Sequence, residues 1–340
     1  SSWKPVRFLK QNGVHVARAY NTKFSKKSFL LRLVNLATYS LFSFLALFGI
    51  RKPDVVVAET DPPILAMLVG VYAKMVRAKF VFYINDLYPD IGIALKKIGN
   101  PVWLKLLNFA TQYGFKHADR VVVLGDDMKR RVIENGCDPA KVELIRCWVD
   151  TDLITPKKES NHFRESLGFT DDDFIVMYSG NLGLSQGLEE VLHAASYFQE
   201  HHDIHFLFVG EGATKSDLRL LHGDLRLNGQ IKFLPYQDKE YLSESLSAAD
   251  LHLIPMKQGA EGAIVPSKVY GIMAAGTPYL AIMDKSSDIA VMAEKHAAGM
   301  WVEPGSTEDI VAQIREAYRN RDALREYGEN GRKAAERHYN

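Results

Sequence analysis

The sequence predicts an α/β protein of two halves, each a parallel sheet with helices on both faces. Three observations lead there. Short β-branched runs alternate with helix-length segments from residue 54 onward, the pattern that builds parallel sheets. The alternation breaks at 155–159, where Pro156 and the pair Lys157 and Lys158 read as a linker, and it restarts at 174. The 340 residues, 47% of them hydrophobic, suffice for about two domains. The expected division is 1–154 and 155–322, with a last helix at 323–340 packing back toward the first domain.

In chain order, 8–20 reads as the end of a helix followed by a strand, with Gly13 as the turn. Lys23, Lys26, Lys27 and Arg32 then form a basic patch, and 33–50 runs without a charge. That run only reaches the short limit of a membrane span, and Asn35, Thr38, Ser40 and Ser43 dilute it. Three readings stay open: a buried helix, a helix lying in a membrane interface beside the patch, and a true span. The first half continues with strands at 54–59, 80–85, 120–124 and 142–146, and helices at 64–76, 102–116 and 127–135. In the second half, strands are expected at 174–179, 204–209, 231–234, 251–256, 279–283 and 300–302. Helices are expected at 188–199, 307–320 and 322–339, and another opens at Pro266 and Ser267 and closes at Gly276 and Pro278.

The totals exclude several functions. A net charge of +1 predicts no nucleic-acid partner. Cys137 and Cys147, the two cysteines, lack metal spacing and are expected as reduced cytosolic thiols. The eleven histidines show no ligand spacing, so no metal is expected, and no GxSxG serine elbow appears. No signal peptide is visible, and the opening SSWKPVRF has neither an initiating Met nor an apolar strand, so the start is read as missing.

Two loops carry chemistry. GNLGLSQG follows a strand and precedes a helix, so Gly180 and Gly183 let backbone approach an anion while the helix start supplies N–H groups. EGAIVPSKVYGIMAAGTP does the same later, with Lys268 adding a full charge. Each loop alone is also an ordinary α/β turn; two at one sheet edge can clamp a diphosphate. Gly210, Glu211 and Gly212 end a strand, either at a ligand or as a solvated turn. Asp86 closes a strand of the first half, where it orients a hydroxyl, acts as a base or caps a turn. The run ETDPP, with Asp61 and Pro62, contacts substrate or simply enters a helix.

Together GNLGLSQGLE, the strand ending in GEG, AADLHLIP and PSKVYGIMAAGTP resemble the family 4 retaining glycosyltransferases of the GT-B fold. With DLYPD and DPP in the first half, the chain is similar to bacterial members that build O-antigen, capsule or exopolysaccharide on lipid-linked acceptors. The resemblance runs from about Val14 to the end. It implies two Rossmann-like parallel-sheet domains facing across a cleft. It also implies donor diphosphate binding by Gly180, Asn181, Gly183, Gln186, Val265, Pro266, Ser267 and Lys268, with Gly210 and Glu211 near the nucleotide and Tyr236 near the base. The family's Glu-x7-Glu pair is replaced by Ala263 and Gly271, which leaves Glu261 as the candidate for the ribose. Asn181 and Gln186 stand where the family often has Arg and Lys. Its opening strand and glycine-rich acceptor loop are not found before Val14.

The resemblance further implies a retaining, metal-independent transferase using a nucleotide sugar, UDP-linked in preference, as substrate and no cofactor. Asp86 and Lys268 are the catalytic candidates, and Asp61, Pro62 and Asp86 lie on the acceptor side. A lipid-linked saccharide acceptor, and a membrane surface met by Lys23, Lys26, Lys27 and the 29–50 helix, are the expected partners of a cytoplasmic enzyme peripheral to the inner membrane. A nucleotide-sugar 2-epimerase and a non-catalytic nucleotide-sugar-binding subunit are the alternatives.

Overall fold

The computed structural model describes residues 5–24, 29–159, 161–227 and 229–340. The chain divides into two compact units, 1–145 and 146–340. The division falls ahead of the expected linker because 146–154 is bound into the second unit. There Val149 N donates to the Tyr339 carbonyl at 2.7 Å, and the Arg332 guanidinium donates to the carbonyls of Ile154 and Thr151.

The first unit opens with β1 (Val6–Gln11) and β2 (Val14–Ala19), an antiparallel hairpin rather than the expected helix end and strand. Asn12 and Gly13 make its two-residue loop with φ of 48° and 82°, the left-handed pair that an Asn-Gly dipeptide supplies. Next come α1 (Phe29–Leu47), β3 (Val55–Glu59), α2 (Pro63–Val76), β4 (Lys79–Tyr83), α3 (Asp90–Ala94) and α4 (Pro101–His117). The unit continues with β5 (Arg120–Val123), α5 (Asp126–Glu134) and β6 (Val142–Leu144). Strands β3, β4, β5 and β6 pair in that order, all parallel.

The polar residues that dilute α1 have a local use. Asn35 Oδ1 accepts from Thr22 Oγ1 at 2.8 Å and Phe24 N at 3.1 Å, and Thr38 Oγ1 accepts from Thr22 N at 3.2 Å. One face of α1 is thus spent anchoring the segment before it. Among the described residues no helix is long and apolar enough to cross a membrane, so the reading of 33–50 as a span is overturned. Lys23 is exposed; Lys26 and Lys27, expected in the membrane-facing patch, lie outside the described residues.

The second unit contains α6 (His162–Ser166), β7 (Phe174–Ser179), α7 (Leu188–Ala195), β8 (Ile204–Val209), α8 (Lys215–Asp224), β9 (Ile231–Leu234) and α9 (Leu242–Ser247). It continues with β10 (Leu251–Pro255), α10 (Lys268–Ala274), β11 (Tyr279–Ile282), α11 (Asp288–His296), β12 (Gly299–Val302), α12 (Thr307–Arg319) and α13 (Arg321–His338). Its parallel sheet runs β12-β11-β10-β7-β8-β9, the doubly wound order of a Rossmann fold. The order reverses between β7 and β10, and ligands of such sheets bind outside the strand ends at that reversal. Phe174, Val176, Phe206, Phe208, Leu251 and Leu253 fill one core beneath the sheet. Helix α13 packs on α10, α12 and β12 of this same unit.

His252, in the middle of β10, is fully buried, and its Nε2–H donates to the Leu246 carbonyl at 2.9 Å. Burial pushes its pKa from 6.5 down to about 4. Between those values the unfolded chain takes up a proton that the folded chain refuses, so stability falls as pH falls, by about 3 kcal/mol across the window. Urea unfolding at pH 7 and pH 4.5 should show a smaller loss for His252→Gln than for the parent; equal losses would remove His252 as the cause.

Candidate active site

At the strand-order reversal of the second unit, the loops after β7, β8 and β10 are locked together by backbone. Gly180 N donates to the Val209 carbonyl, Leu182 N to the Glu211 carbonyl and Lys257 N to the Ser185 carbonyl, at 2.8–2.9 Å. Gly210, at φ 147°, lies so close to the first loop that an added Cβ would stand 1.9 Å from the Gly180 carbonyl oxygen. Glycine at 210 is therefore required by space as well as by φ.

Lys268, the first residue of α10, reaches into this junction. Its Nζ donates to Tyr178 Oη at 2.7 Å and Gln186 Oε1 at 2.8 Å, and lies 3.9 Å from the Tyr178 ring centre. Tyr178 OH in turn donates to the Asn181 carbonyl at 2.6 Å. The residue is half-buried overall, yet protein surrounds its ammonium so closely that burial pushes its pKa down to about 7. Among the described residues no carboxylate pairs with it. A desolvated cation held only by neutral oxygens and an aromatic face attracts an anion strongly.

The other expected donor residues divide. Gly180, Gln186 and Lys268 meet directly: a Cβ on Gly180 would lie 3.2 Å from Lys268 Nζ. Asn181 is exposed, with its side chain over Gly183. Glu211 pairs with Lys215 at 2.6 Å, so that lysine's charge is already matched. Tyr236 is exposed and its hydroxyl approaches the Glu211 carbonyl at 3.4 Å, which leaves its ring face accessible beside Gly210. Glu261 folds back within its own loop, accepting from Gly259 N at 2.7 Å. Val265 is half-buried, Pro266 buried and Ser267 exposed ahead of α10. Gly271 sits on α10 where an added Cβ would meet Leu246 Cδ1 at 3.5 Å and Ile154 Cδ1 at 3.8 Å, so space does not demand glycine there. Tyr178 is the residue that sequence reasoning passed over. Lying at the end of a continuous apolar strand, it gave no signal beyond its hydroxyl.

In the first unit, Asp61, Asp86 and Tyr88 gather at the carboxyl ends of β3 and β4. The buried Thr60 hydroxyl accepts from Asn85 N at 3.2 Å and Asp86 N at 3.1 Å, which fixes the turn carrying Asp86. Burial first, and the neighbouring Asp61 charge second, raise the Asp86 pKa. The same burial and both carboxylates push Tyr88 up to about 12. Pro62 is buried and Asp61 exposed. Asp90 is structural: it accepts from Arg131 Nε at 2.8 Å and from Asn135 Nδ2.

Residues 159–334 match the family described as glycosyl transferases group 1, and residues 5–153 match glycosyltransferase family 4. The chain belongs to the glycosyl transferases group 1 family, and it is a glycosyltransferase. It is similar to WcaI of Escherichia coli (strain K12), named as a colanic acid biosynthesis glycosyl transferase, at 29% identity over 89% of this chain and 76% of that one. It is also similar to WbjE of Pseudomonas aeruginosa, named as a glycosyltransferase, at 28% identity over 81% and 68%. Among solved structures, sucrose-phosphate synthase from Thermosynechococcus elongatus superposes with a TM-score of 0.77 at 17% identity, covering 99% of this chain and 82% of that one. Anabaena HepE, solved in complex with UDP-glucose, superposes at 0.74 with 15% identity, covering 92% and 80%. The fold is that of the GT-B glycosyltransferases.

Two glycines test the geometry in opposite directions. Gly210→Ala should lower the unfolding free energy by more than about 2 kcal/mol, because its Cβ meets backbone that cannot yield. Gly271→Ala, in a helix with room for a methyl, should raise it by about 0.5–1 kcal/mol. Denaturant titration of both variants measures the two signs.

Proposed function

We propose that the protein moves a sugar from a nucleotide-diphosphate donor, UDP-linked in preference, to a hydroxyl of a lipid-linked or polysaccharide acceptor in bacterial surface-polysaccharide assembly, with retained anomeric configuration. The observation that carries this reading is Lys268, a buried cation without a carboxylate partner among the described residues, at the strand-order reversal of a Rossmann sheet. The complex of Anabaena HepE with UDP-glucose supports a UDP-sugar donor, and the name of WcaI supports the polysaccharide setting.

As the glycosidic bond to the diphosphate breaks, charge grows on the leaving oxygens. Lys268 and the start of α10 stabilise it, without a metal or other cofactor. The acceptor oxygen bonds to the anomeric carbon on the face the diphosphate leaves, and its proton passes to the departing phosphate. No protein nucleophile takes part. Asp86, with its raised pKa, and Asp61 orient sugar hydroxyls by hydrogen bonding. Tyr236 offers a ring face to the base, and Glu261 a carboxylate to the ribose.

The enzyme works on the cytoplasmic face of the inner membrane, held there peripherally through Lys23 and α1. Val34, Leu41 and Leu45 support this, because they are exposed and recur at spacings that put them on one side of α1.

Lys268→Met should weaken UDP-glucose binding about 10- to 100-fold, the worth of a charge-assisted contact. Binding to the parent should also depend on pH with a defined sign. Below about pH 7 Lys268 is protonated in the free protein and affinity is flat. Above it, ligand must draw in a proton, so affinity falls up to tenfold per pH unit. Calorimetric titration between pH 6 and 9 measures both, and a variant that binds and transfers sugar like the parent would remove Lys268 from this role.

Flotation with vesicles containing anionic lipid should carry the protein upward, and Leu41→Lys with Leu45→Lys should abolish this. Parent protein staying at the bottom with every lipid would sink the membrane reading.

A further inference from the structure

The first unit contains a largely apolar cavity of about 740 Å3, whose lining shares Asp61 and Leu41 with the roles above. Leu33, Leu36 and Leu41 of α1 form one wall, Leu68 of α2 another, and Trp103 and Leu107 of α4 a third. Its volume falls within the roughly 300–1,000 Å3 of pockets that engulf whole small ligands. The leucine-lined part of these walls offers a sugar ring little to hydrogen-bond, and a buried hydroxyl without a partner is strongly disfavoured. A hydrocarbon chain needs no partner.

The polar part of the lining is small and specific. Ser40, Asp61, Tyr88 and Lys97 contribute to it, while the Asn100 side chain is already committed to Val102 N at 2.9 Å. Asp61 and Tyr88 also belong to the cluster around Asp86, so the cavity and the hydroxyl-orienting carboxylates share a wall. Lys97 is exposed, a cation able to meet an anionic head without being desolvated first. Leu36 and Leu41 are exposed as well, so a chain can enter along α1.

We infer that this cavity receives the hydrocarbon chain of a single-chain lipid phosphate, with the phosphate at Lys97. The chain is the anchor of the acceptor, an assignment that rests on the transferase reading above. Binding of the chain itself needs neither donor nor transfer. Selection of acceptors then depends on chain length and on an anionic head, in addition to the sugar.

The test titrates the intact chain with hexyl, octyl and decyl phosphate below their micelle concentrations, following Trp103 fluorescence and calorimetry. Affinity should rise by about fourfold for each buried methylene and level off when the cavity is full. Trp103→Phe should remove the optical signal but keep the heat of binding. Ala37→Phe and Leu107→Phe, which narrow the cavity from two sides, should weaken decyl phosphate at least tenfold with unchanged circular dichroism and unchanged UDP-glucose affinity. Lys97→Ala should weaken decyl phosphate but not decanol. The inference is overturned if affinity ignores chain length, if inorganic phosphate gives the same signal, if both narrowing variants bind like the parent, or if only vesicles bind. Absence of UDP-glucose binding with chain binding intact would overturn the UDP-sugar donor reading alone; the reverse result would overturn the cavity assignment alone.

Discussion

The second unit is organised around an ammonium group that has lost its water without gaining a counter-ion. Removing a charge from water is costly, and proteins usually answer with a carboxylate. Here the answer is neutral: a tyrosine hydroxyl, an amide oxygen and the face of an aromatic ring. That arrangement depends on backbone. Gly210 lets the loop after β8 press onto Gly180, and this closes the junction into which Lys268 reaches. Lys215 shows the contrasting case nearby, since its contact with Glu211 leaves it no surplus charge for a ligand.

The first unit places charge of the opposite sign under a similar constraint. Asp61 and Asp86 stand near enough at the ends of β3 and β4 for one to raise the pKa of the other, in addition to burial. Thr60 holds the Asp86 turn in place, and the Thr111 hydroxyl holds the Tyr88 carbonyl at 2.7 Å. Carboxylates kept this way are good acceptors for hydroxyl groups. The two units thus differ in chemistry, one centred on an ammonium and the other on carboxylates.

Much of this was legible in the residue order. The strands at 174–179 and 204–209 lie where expected, because strands buried on both faces of a parallel sheet read as largely apolar runs; the edge strand at 231–234 also lies where expected although Lys232 interrupts it. The helices α3, α6, α8, α9 and α11 were not foreseen; α3, α6 and α9, of five or six residues, are too short to develop a periodic pattern, whereas α8 and α11 are long enough and were passed over. The opening hairpin was missed although Asn12 and Gly13 announce it, since the flanking residues are mostly exposed and lack clean alternation. The second unit begins earlier than Pro156 suggested, because contacts from α13 decide where it starts, and these come from the far end of the chain.

By itself the sequence determined the two α/β units, the glycine loops after β7 and β8, the cation at the start of α10 and the family. These rest on patterns repeated over a few residues, which local backbone geometry reads directly. Only the tertiary structure decided which charges are matched and which are left over. Lys268 finds its partners 82 and 90 residues away, whereas Lys215 finds Glu211 a single helical turn away. It also decided that Gly271 is a space a side chain could fill while Gly210 is not, and that leucines from α1, α2 and α4 enclose one cavity. Desolvation and enclosure depend on what surrounds a group in three dimensions, and no spacing along the chain encodes them.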